Sequence, residues 1–392
     1  MPSGNGVRRP GRASVAATTA RFVAARLASR LRRRSAPVSP TAFRAAIEAT
    51  LERVGDAVAG CDWRTVGPTA DGWVDSQVTL TAGEAVTLLA TGRLTLSRLL
   101  DVAFGPTVGL WYRVGDGPIA KVVGDSDTFR CERGGTLWLS TKPPGEFLDR
   151  TGAFDPAEGR SGIGGGFTVA IVRWSDAETG LTAAAAADAR WFGPARRRLA
   201  APVDPPAGWH YLWRLGPGEI YREQATADGP ALCCHSAGDV GILQFPVDEP
   251  LTDETVLSWS WCVERLPSRL PEHTQPTHDY LSIAVEFDNG LDLTYMWSAA
   301  LPVDTVFRCP LPWWKERETH WVVRTGHDEL GRWVDDRRTV RDDYARAIGG
   351  PLPERIVAVW LIANTVFGRE VGECRYRRIA LEQGAQRVAI GA

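Results

Sequence analysis

Leu257-Ser258-Trp259-Ser260-Trp261-Cys262-Val263 alternates bulky apolar residues with small or polar ones. A period of two places Leu257, Trp259, Trp261 and Val263 on one face of an extended strand and the two serines on the other. A strand that buries only one face belongs to an antiparallel sheet; parallel strands are buried on both. Working outward, strands also fit 281–288, 292–298, 304–309, 319–324, 355–363 and 374–381. A short helix fits 340–348, with Thr339 as its cap. Further toward the N-terminus, Val74, Val78 and Leu80 precede a turn at Ala82-Gly83, and Val86, Leu88 and Ala90 follow it. Strands fit 109–115, 135–141 and 165–174, where Phe167, Val169 and Ile171 face one way. Gly162-Ile163-Gly164-Gly165-Gly166 reads as a turn before the last of these, since a phosphate-binding glycine loop would open a helix instead.

The 392 residues, 44% hydrophobic and 23% charged, suffice for two cored domains. Collagen, coiled coil, wholesale disorder and a membrane-spanning helix are excluded by composition. The chain lacks a strand–long helix–strand rhythm, which disfavours Rossmann and TIM architectures. The expected fold is all-β: two jelly-roll-like antiparallel β-sandwich domains, with an amphipathic helix and a disordered basic N-terminal arm. The boundaries are 1–38 for the arm, 39–60 for the helix, 61–176 for the first sandwich, 177–205 for a helix and linker, and 206–385 for the second sandwich. The helix rests on Ser39 as cap, Pro40 in the first turn, and Phe43, Ile47, Leu51, Val54 and Val58 at helical spacing.

Charge is unevenly placed. Residues 1–47 hold ten arginines and no acid, leaving 35 basic against 47 acidic residues in the rest, a net −12. Such an arm can contact an anionic surface. Phe22, Arg26, Arg30 and Arg34 share one helical row, so the apolar face is broken by charge and a membrane-surface helix is disfavoured. The seven cysteines are odd in number and lie largely in strand patterns, which points to a reducing, cytoplasmic setting. Cys233-Cys234-His235 reads as strand, and no metal ligand is assigned anywhere. His273 and His278 read as part of a solvated Pro-rich loop, and His320 and His327 as flanking a strand. Nucleophile-elbow, Walker, His-Glu-x-x-His and Cys-x-x-Cys motifs are absent from the sequence.

Two resemblances rest on these stretches. Residues 62–175 resemble the bacterial PA-I-like galactose-binding lectin domain through Trp111-Tyr112-Arg113-Val114-Gly115-Asp116-Gly117, Gly135-Thr136-Leu137-Trp138-Leu139-Ser140 and Gly166-Phe167-Thr168-Val169. That resemblance implies a small jelly-roll-like sandwich and a sugar held through calcium. Here Lys142-Pro143 stand where the family places an Asn-Asp pair, with Asp149 nearby. An ammonium has no lone pair for calcium and repels it, so no cofactor is expected. Residues 205–383 are similar to the uncharacterised domain-of-unknown-function family 3047. The similarity runs through Leu257–Trp261, Tyr295–Pro302, Val322–Gly326, Leu330–Trp333 and Arg341–Tyr344. Where that family has an acidic Asp-x-Asp-Asn-Thr-like turn, this chain has Ile362-Ala363-Asn364-Thr365-Val366.

The candidate ligand residues are Glu286, Asp288 and Asp292 on the hairpin 281–298, Trp313 and Trp314 in a loop after Pro312, and Asp149. Glu286 and Asp288 are expected on one strand face. Loop tryptophans suit stacking on a sugar ring or anchoring a partner. The expected function is non-catalytic binding of a carbohydrate or glycoconjugate. The alternatives are a polysaccharide-acting sandwich enzyme using Glu286 and Asp288, and a scaffold protein of a bacterial assembly binding partner proteins.

Overall fold

A computed structural model describes residues 7–32, 38–69, 72–143, 145–154, 163–227 and 229–391. The fold is mostly β, with each of two compact units built on a pair of sheets. The N-terminal unit comprises Ser29–Val203 and Trp213–Pro217; the C-terminal unit comprises Met1–Ala28, Asp204–Leu212 and Gly218–Ala392. Among the described residues, no helix is long and apolar enough to cross a membrane.

In chain order the first elements are α1 (Arg12–Arg32), α2 (Pro40–Val54), β1 (Val58–Val66), β2 (Val74–Leu80), β3 (Ala85–Ser97), β4 (Val102–Phe104), α3 (Pro106–Gly109), β5 (Trp111–Val114), β6 (Ala120–Lys121), β7 (Ser126–Arg130), β8 (Gly135–Ser140), β9 (Gly164–Trp174), α4 (Ala177–Ala187) and α5 (Gly193–Ala200). The N-terminal unit pairs β1-β9-β3-β4, with β7 also on β3, into one sheet and β2-β8-β5-β6 into the other. Val86, Leu88, Leu137, Leu139, Val169 and Ile171 fill the space between the sheets. The opposite faces of β3 and β9 form a second core with Phe43, Ile47, Leu181 and Phe192 from the helices. Ser39 caps α2 as expected, its hydroxyl accepting from Ala42 N at 3.2 Å.

Two expectations change in this unit. The stretch 177–205, expected to hold one helix and a linker, holds two helices, Ala177–Ala187 and Gly193–Ala200, whose Leu181, Ala184 and Ala195 are fully buried. The glycines after residue 163 are strand rather than turn: Gly165 pairs with Leu94 and Gly166 with Arg93. A Cβ at either would lie 2.3–2.4 Å from a neighbouring carbonyl oxygen, so only glycine fits there.

The C-terminal unit contains β10 (His210–Tyr211), β11 (Tyr221–Thr226), β12 (Gly229–Ala237), β13 (Val240–Pro250), β14 (Thr255–Arg265), β15 (Tyr280–Phe287), β16 (Asp292–Ser298), β17 (Val306–Arg308), β18 (Glu318–Thr325), β19 (Val334–Thr339), α6 (Val340–Ala347), β20 (Arg355–Asn364), β21 (Val371–Gln383) and β22 (Gln386–Ala389). A seven-stranded sheet runs β10-β13-β20-β15-β16-β18-β17; the other runs β11-β12-β21-β14-β19, with β22 on β21. Leu257, Trp259, Trp261 and Val263 all face the core between them, meeting Tyr295, Trp297 and Tyr376. Among the described strand pairings of this unit β16 and β18 run parallel, matching Asp292 with Glu318 and Thr294 with His320.

The basic arm is not disordered where it is described. Its residues 12–32 are helical, and Arg8 bridges to Thr305 through Arg8 N to Asp304 O at 3.0 Å and Val306 N to Arg8 O at 2.8 Å. The described part of the row of spacing four, expected to be broken by charge, docks. Thr18, Phe22 and Arg26 are all buried, and the Arg26 guanidinium donates to the Phe367 carbonyl. A buried arginine is tolerated because its charged head has an acceptor while its stem packs as apolar surface.

Candidate functional site

In the N-terminal unit, the outer face of the β2-β8-β5-β6 sheet carries an aromatic platform. Outward positions on β5 and β8 place Arg113 opposite Trp138 in register, and Asp75 of β2 is the partner of Trp138 on its other side. The Arg113 guanidinium lies 4.7 Å from the Trp73 ring centre and 5.9 Å from that of Trp138. The loop after Asp149 fixes this arrangement. Trp73 Nε1 donates to Gly152 O at 2.9 Å, and Arg113 Nη1 to Thr151 O at 2.8 Å. Gly152 has φ +84°, and a Cβ there would fall 2.5 Å from the Trp73 ring. All three platform side chains remain half-buried, with exposed Asp75 beside them.

Asp149 is the organiser of that loop. Its Oδ1 accepts from Thr151 N at 2.8 Å, Thr151 Oγ1 at 2.6 Å and Ala153 N at 3.3 Å. These bonds, the Thr151 hydroxyl first, hold its carboxyl below the usual range. Lys142 places its ammonium 3.8 Å from the Phe154 ring centre, so that position presents a cation packed on an aromatic face.

The remaining candidates lie in the C-terminal unit, and only some converge. Glu286, Asp292 and Trp314 gather around Arg317, which the sequence reading did not single out. Arg317 Nη2 donates to Glu286 Oε1 at 3.0 Å, its Nε is 3.6 Å from Asp292 Oδ2, and its guanidinium is 5.3 Å from the ring centres of Trp314 and Trp360. Burial pushes the Glu286 carboxyl up, against the opposing pull of Arg317. Asp288 does not share the face of Glu286. β15 ends at Phe287, and Asp288 sits in the following turn, accepting from Glu354 N at 3.2 Å. Trp314 is buried rather than presented in a loop, and Trp313 is half-buried.

Beside this group lies a cluster that sequence reasoning missed. His278, Cys309, Glu318 and His320 are each at most 3% exposed, and their ligand-type atoms all lie within 4.8 Å of one another. β18 supplies Glu318 and His320, two residues apart and so on one face; Cys309 follows β17, paired to β18; His278 ends the 266–279 loop just before β15. That loop is not solvated: Glu272, His273, Thr274, Thr277, His278 and Asp279 are all buried. Ser14 of α1 lies 3.2 Å from His273 Nε2.

His278 Nδ1 is 2.7 Å from the Glu272 carbonyl oxygen, which only accepts, so Nδ1 carries the proton. The lone pair of Nε2 then faces Cys309 Sγ at 3.4 Å. His320 Nε2 is 3.3 Å from Glu318 Oε1, and Tyr280 donates to that same oxygen at 2.9 Å. Burial pushes the Glu318 carboxyl up, but the neighbouring His320 and His278 rings outweigh it and hold it at about 2. Burial, with His320 alongside, takes His278 down to about 3. Burial and the adjacent Glu318 hold Asp292 well above the usual carboxylate range. By contrast, Cys233 and Cys234 point to opposite faces of β12, and exposed His235 pairs with Glu373 at 3.0 Å.

The molecule is thus a two-sandwich β protein with an aromatic platform on one sandwich and a buried polar cluster on the other. Residues 212–380 match the family model described as "Protein of unknown function (DUF3047)". A comparison with curated protein sequences returned no match. Among solved structures, "EclA N-terminal domain; PllA-like lectin" is 19% identical over 30% of this chain and 99% of its own, with a TM-score of 0.24. A non-crystalline-cellulose-specific carbohydrate-binding module, CBM28, is 11% identical over 45% of this chain and 89% of its own, with a TM-score of 0.27. The xyloglucanase domain of NopAA from Sinorhizobium fredii is 8% identical over 46% of this chain and 94% of its own, with a TM-score of 0.28. At these scores the likenesses say nothing about function.

Proposed function

We propose that this chain is a non-catalytic binding protein for a carbohydrate or glycoconjugate, which it takes on the Trp73–Arg113–Trp138 platform. The observation that carries the reading is the rigid placement of two half-exposed indole rings around one guanidinium. Indole rings offer flat apolar area for the C–H face of a sugar, while Arg113 and Asp75 offer a donor and an acceptor for its hydroxyls. The hydrogen bonds from Trp73 and Arg113 to the 149–153 loop set the Trp73 ring and the guanidinium before a ligand arrives, which lowers the entropy lost on binding.

The test is a glycan-array screen of the full chain, followed by titration calorimetry on any hit, with and without a calcium-selective chelator. Saturable binding that survives chelation is expected. Trp138→Ala should weaken it roughly tenfold or more, as loss of a central aromatic contact does. Trp313→Ala, in the other unit, should leave it unchanged. Absence of saturable binding, or binding indifferent to Trp138→Ala, overturns the reading.

A further inference from the structure

We propose that His278, Cys309, Glu318 and His320 form a closed, four-coordinate site for a divalent transition-metal ion, zinc by the chemistry of its donors.

The donor set is two imidazoles, one thiolate and one carboxylate. The sulfur excludes calcium and magnesium, which take oxygen, while borderline zinc accepts all three donor types. Around a tetrahedral zinc with bonds of about 2.0–2.3 Å, neighbouring ligand atoms stand about 3.3–3.8 Å apart. Two edges already do so: His320 Nε2 to Glu318 Oε1 at 3.3 Å and Cys309 Sγ to His278 Nε2 at 3.4 Å. No pair exceeds 4.8 Å, so about 1 Å of side-chain closure completes the tetrahedron.

The surroundings are those of a ligated site. The Nδ1 proton of His278 is fixed on the Glu272 carbonyl, which leaves Nε2 to bind; Tyr280 and Thr294 steady Glu318 at 2.9 and 3.4 Å. Such outer contacts orient metal ligands and fix their tautomers. Among the described residues Nδ1 of fully buried His320 has no hydrogen-bond partner and Nε2 has only its 3.3 Å contact with Glu318 Oε1, so one ring nitrogen is left unpaired, which is costly unless something else moves in beside the ring.

Charge leads to the same place. Arg317 already serves Glu286 and Asp292, the latter the register partner of Glu318. A divalent ion with one thiolate, one carboxylate and two neutral imidazoles sums to zero, as buried charge requires. The alternative use of the Cys309–His278 contact, a nucleophilic dyad, has no room for a substrate, because Cys309 is 1% and His278 0% exposed. With four protein ligands and no open position the ion would be structural. It would tie the 266–279 loop to β17 and β18, which no strand pairing does.

The test uses the full chain. Purified without chelator, it should carry about one zinc per chain by plasma mass spectrometry. Stripped and titrated with cobalt(II), it should show thiolate-to-cobalt charge transfer and tetrahedral visible bands. Cys309→Ser should abolish the charge-transfer band, whereas Cys233→Ser should keep it. Tyr280→Phe, which keeps the ring and removes only the hydrogen bond to Glu318, should weaken zinc binding about 10–100-fold while leaving the circular dichroism spectrum unchanged. If Cys309→Ser does not fold, the wild-type cobalt spectrum and Tyr280→Phe decide. A folded wild-type chain that takes up neither ion, a charge-transfer band that survives Cys309→Ser, or zinc affinity indifferent to Tyr280→Phe overturns the proposal.

Discussion

Trp261→Ala is expected to cost the C-terminal unit about 3–5 kcal/mol, the range for removing a fully buried large aromatic. Trp261 is 0% exposed and lies at the centre of an aromatic cluster, 5.8 Å from Trp259, 5.4 Å from Trp297 and 6.2 Å from Tyr376 between ring centres. Alanine leaves a cavity that these rings, each held by its own strand, cannot close. A second loss accompanies it. Trp261 Nε1 donates to Asp336 Oδ2 at 2.8 Å, and Asp336 in turn takes Arg324 at 3.0 Å, which holds Glu329 at 2.9 Å. The indole therefore anchors a charged network as well as the core. Against a typical total stability of about 5–15 kcal/mol, the loss is large. Denaturant unfolding followed by near-ultraviolet circular dichroism should show it, with a Tm lowered by roughly 2–4 °C per kcal/mol. Trp261→Phe keeps most of the ring and should lose much less. A cost below about 1.5 kcal/mol for Trp261→Ala would mean that the aromatic cluster is loosely packed.

The inward direction of Trp261 was legible because a period-two pattern leaves only two faces, and one held all the bulk. The same logic places Phe167, Val169 and Ile171, which face the N-terminal core. It fails where a sheet is covered on both sides. Asp292, Thr294 and Ser298 occupy the outer face of β16, which alternation assigns to solvent, yet all three are 0% exposed. Arg26 misleads in the same way, since a helical row that includes charge looks exposed until the acceptor that satisfies it is known.

The four-residue cluster was hidden for a topological reason. Its members come from a loop, the residue after a three-residue strand, and a strand running parallel to β16. A chain of consecutive hairpins would not bring Asp292 beside Glu318; only the parallel register does. Spacing rules for zinc describe ligands on one local turn, and His278, Cys309 and Glu318 share none. The signal present in the sequence was Glu318-x-His320 on one strand face, with a cysteine nine residues earlier.

Asp343→Ala is expected to be nearly as damaging as the loss of Trp261, for an electrostatic reason. Asp343 is 4% exposed and takes Arg338 in a two-pronged contact, Nε to Oδ2 at 2.6 Å and Nη2 to Oδ1 at 2.8 Å. The Tyr295 hydroxyl donates to the same carboxylate at 3.1 Å. Burial pushes the Asp343 carboxyl up despite the guanidinium, so the pair is held at a desolvation cost. Removing the carboxylate alone leaves half-buried Arg338, 4.6 Å from the Trp321 ring centre, with a charge that water reaches only in part, and leaves the Tyr295 hydroxyl without its acceptor. Breaking one side of a buried pair costs about 3–5 kcal/mol, whereas the favourable charge of Asp343 at the start of α6 accounts for at most about 1 kcal/mol. Replacing both partners, Arg338→Met with Asp343→Leu, removes the stranded charge and should return stability to within about 1 kcal/mol of the wild type. The double-mutant cycle is the measurement, read as denaturation free energies of the four chains. If the double variant is as unstable as Asp343→Ala alone, the carboxylate acts through the shape and hydrogen bonding of the β19–α6 corner, and the buried charge is not what makes its loss costly.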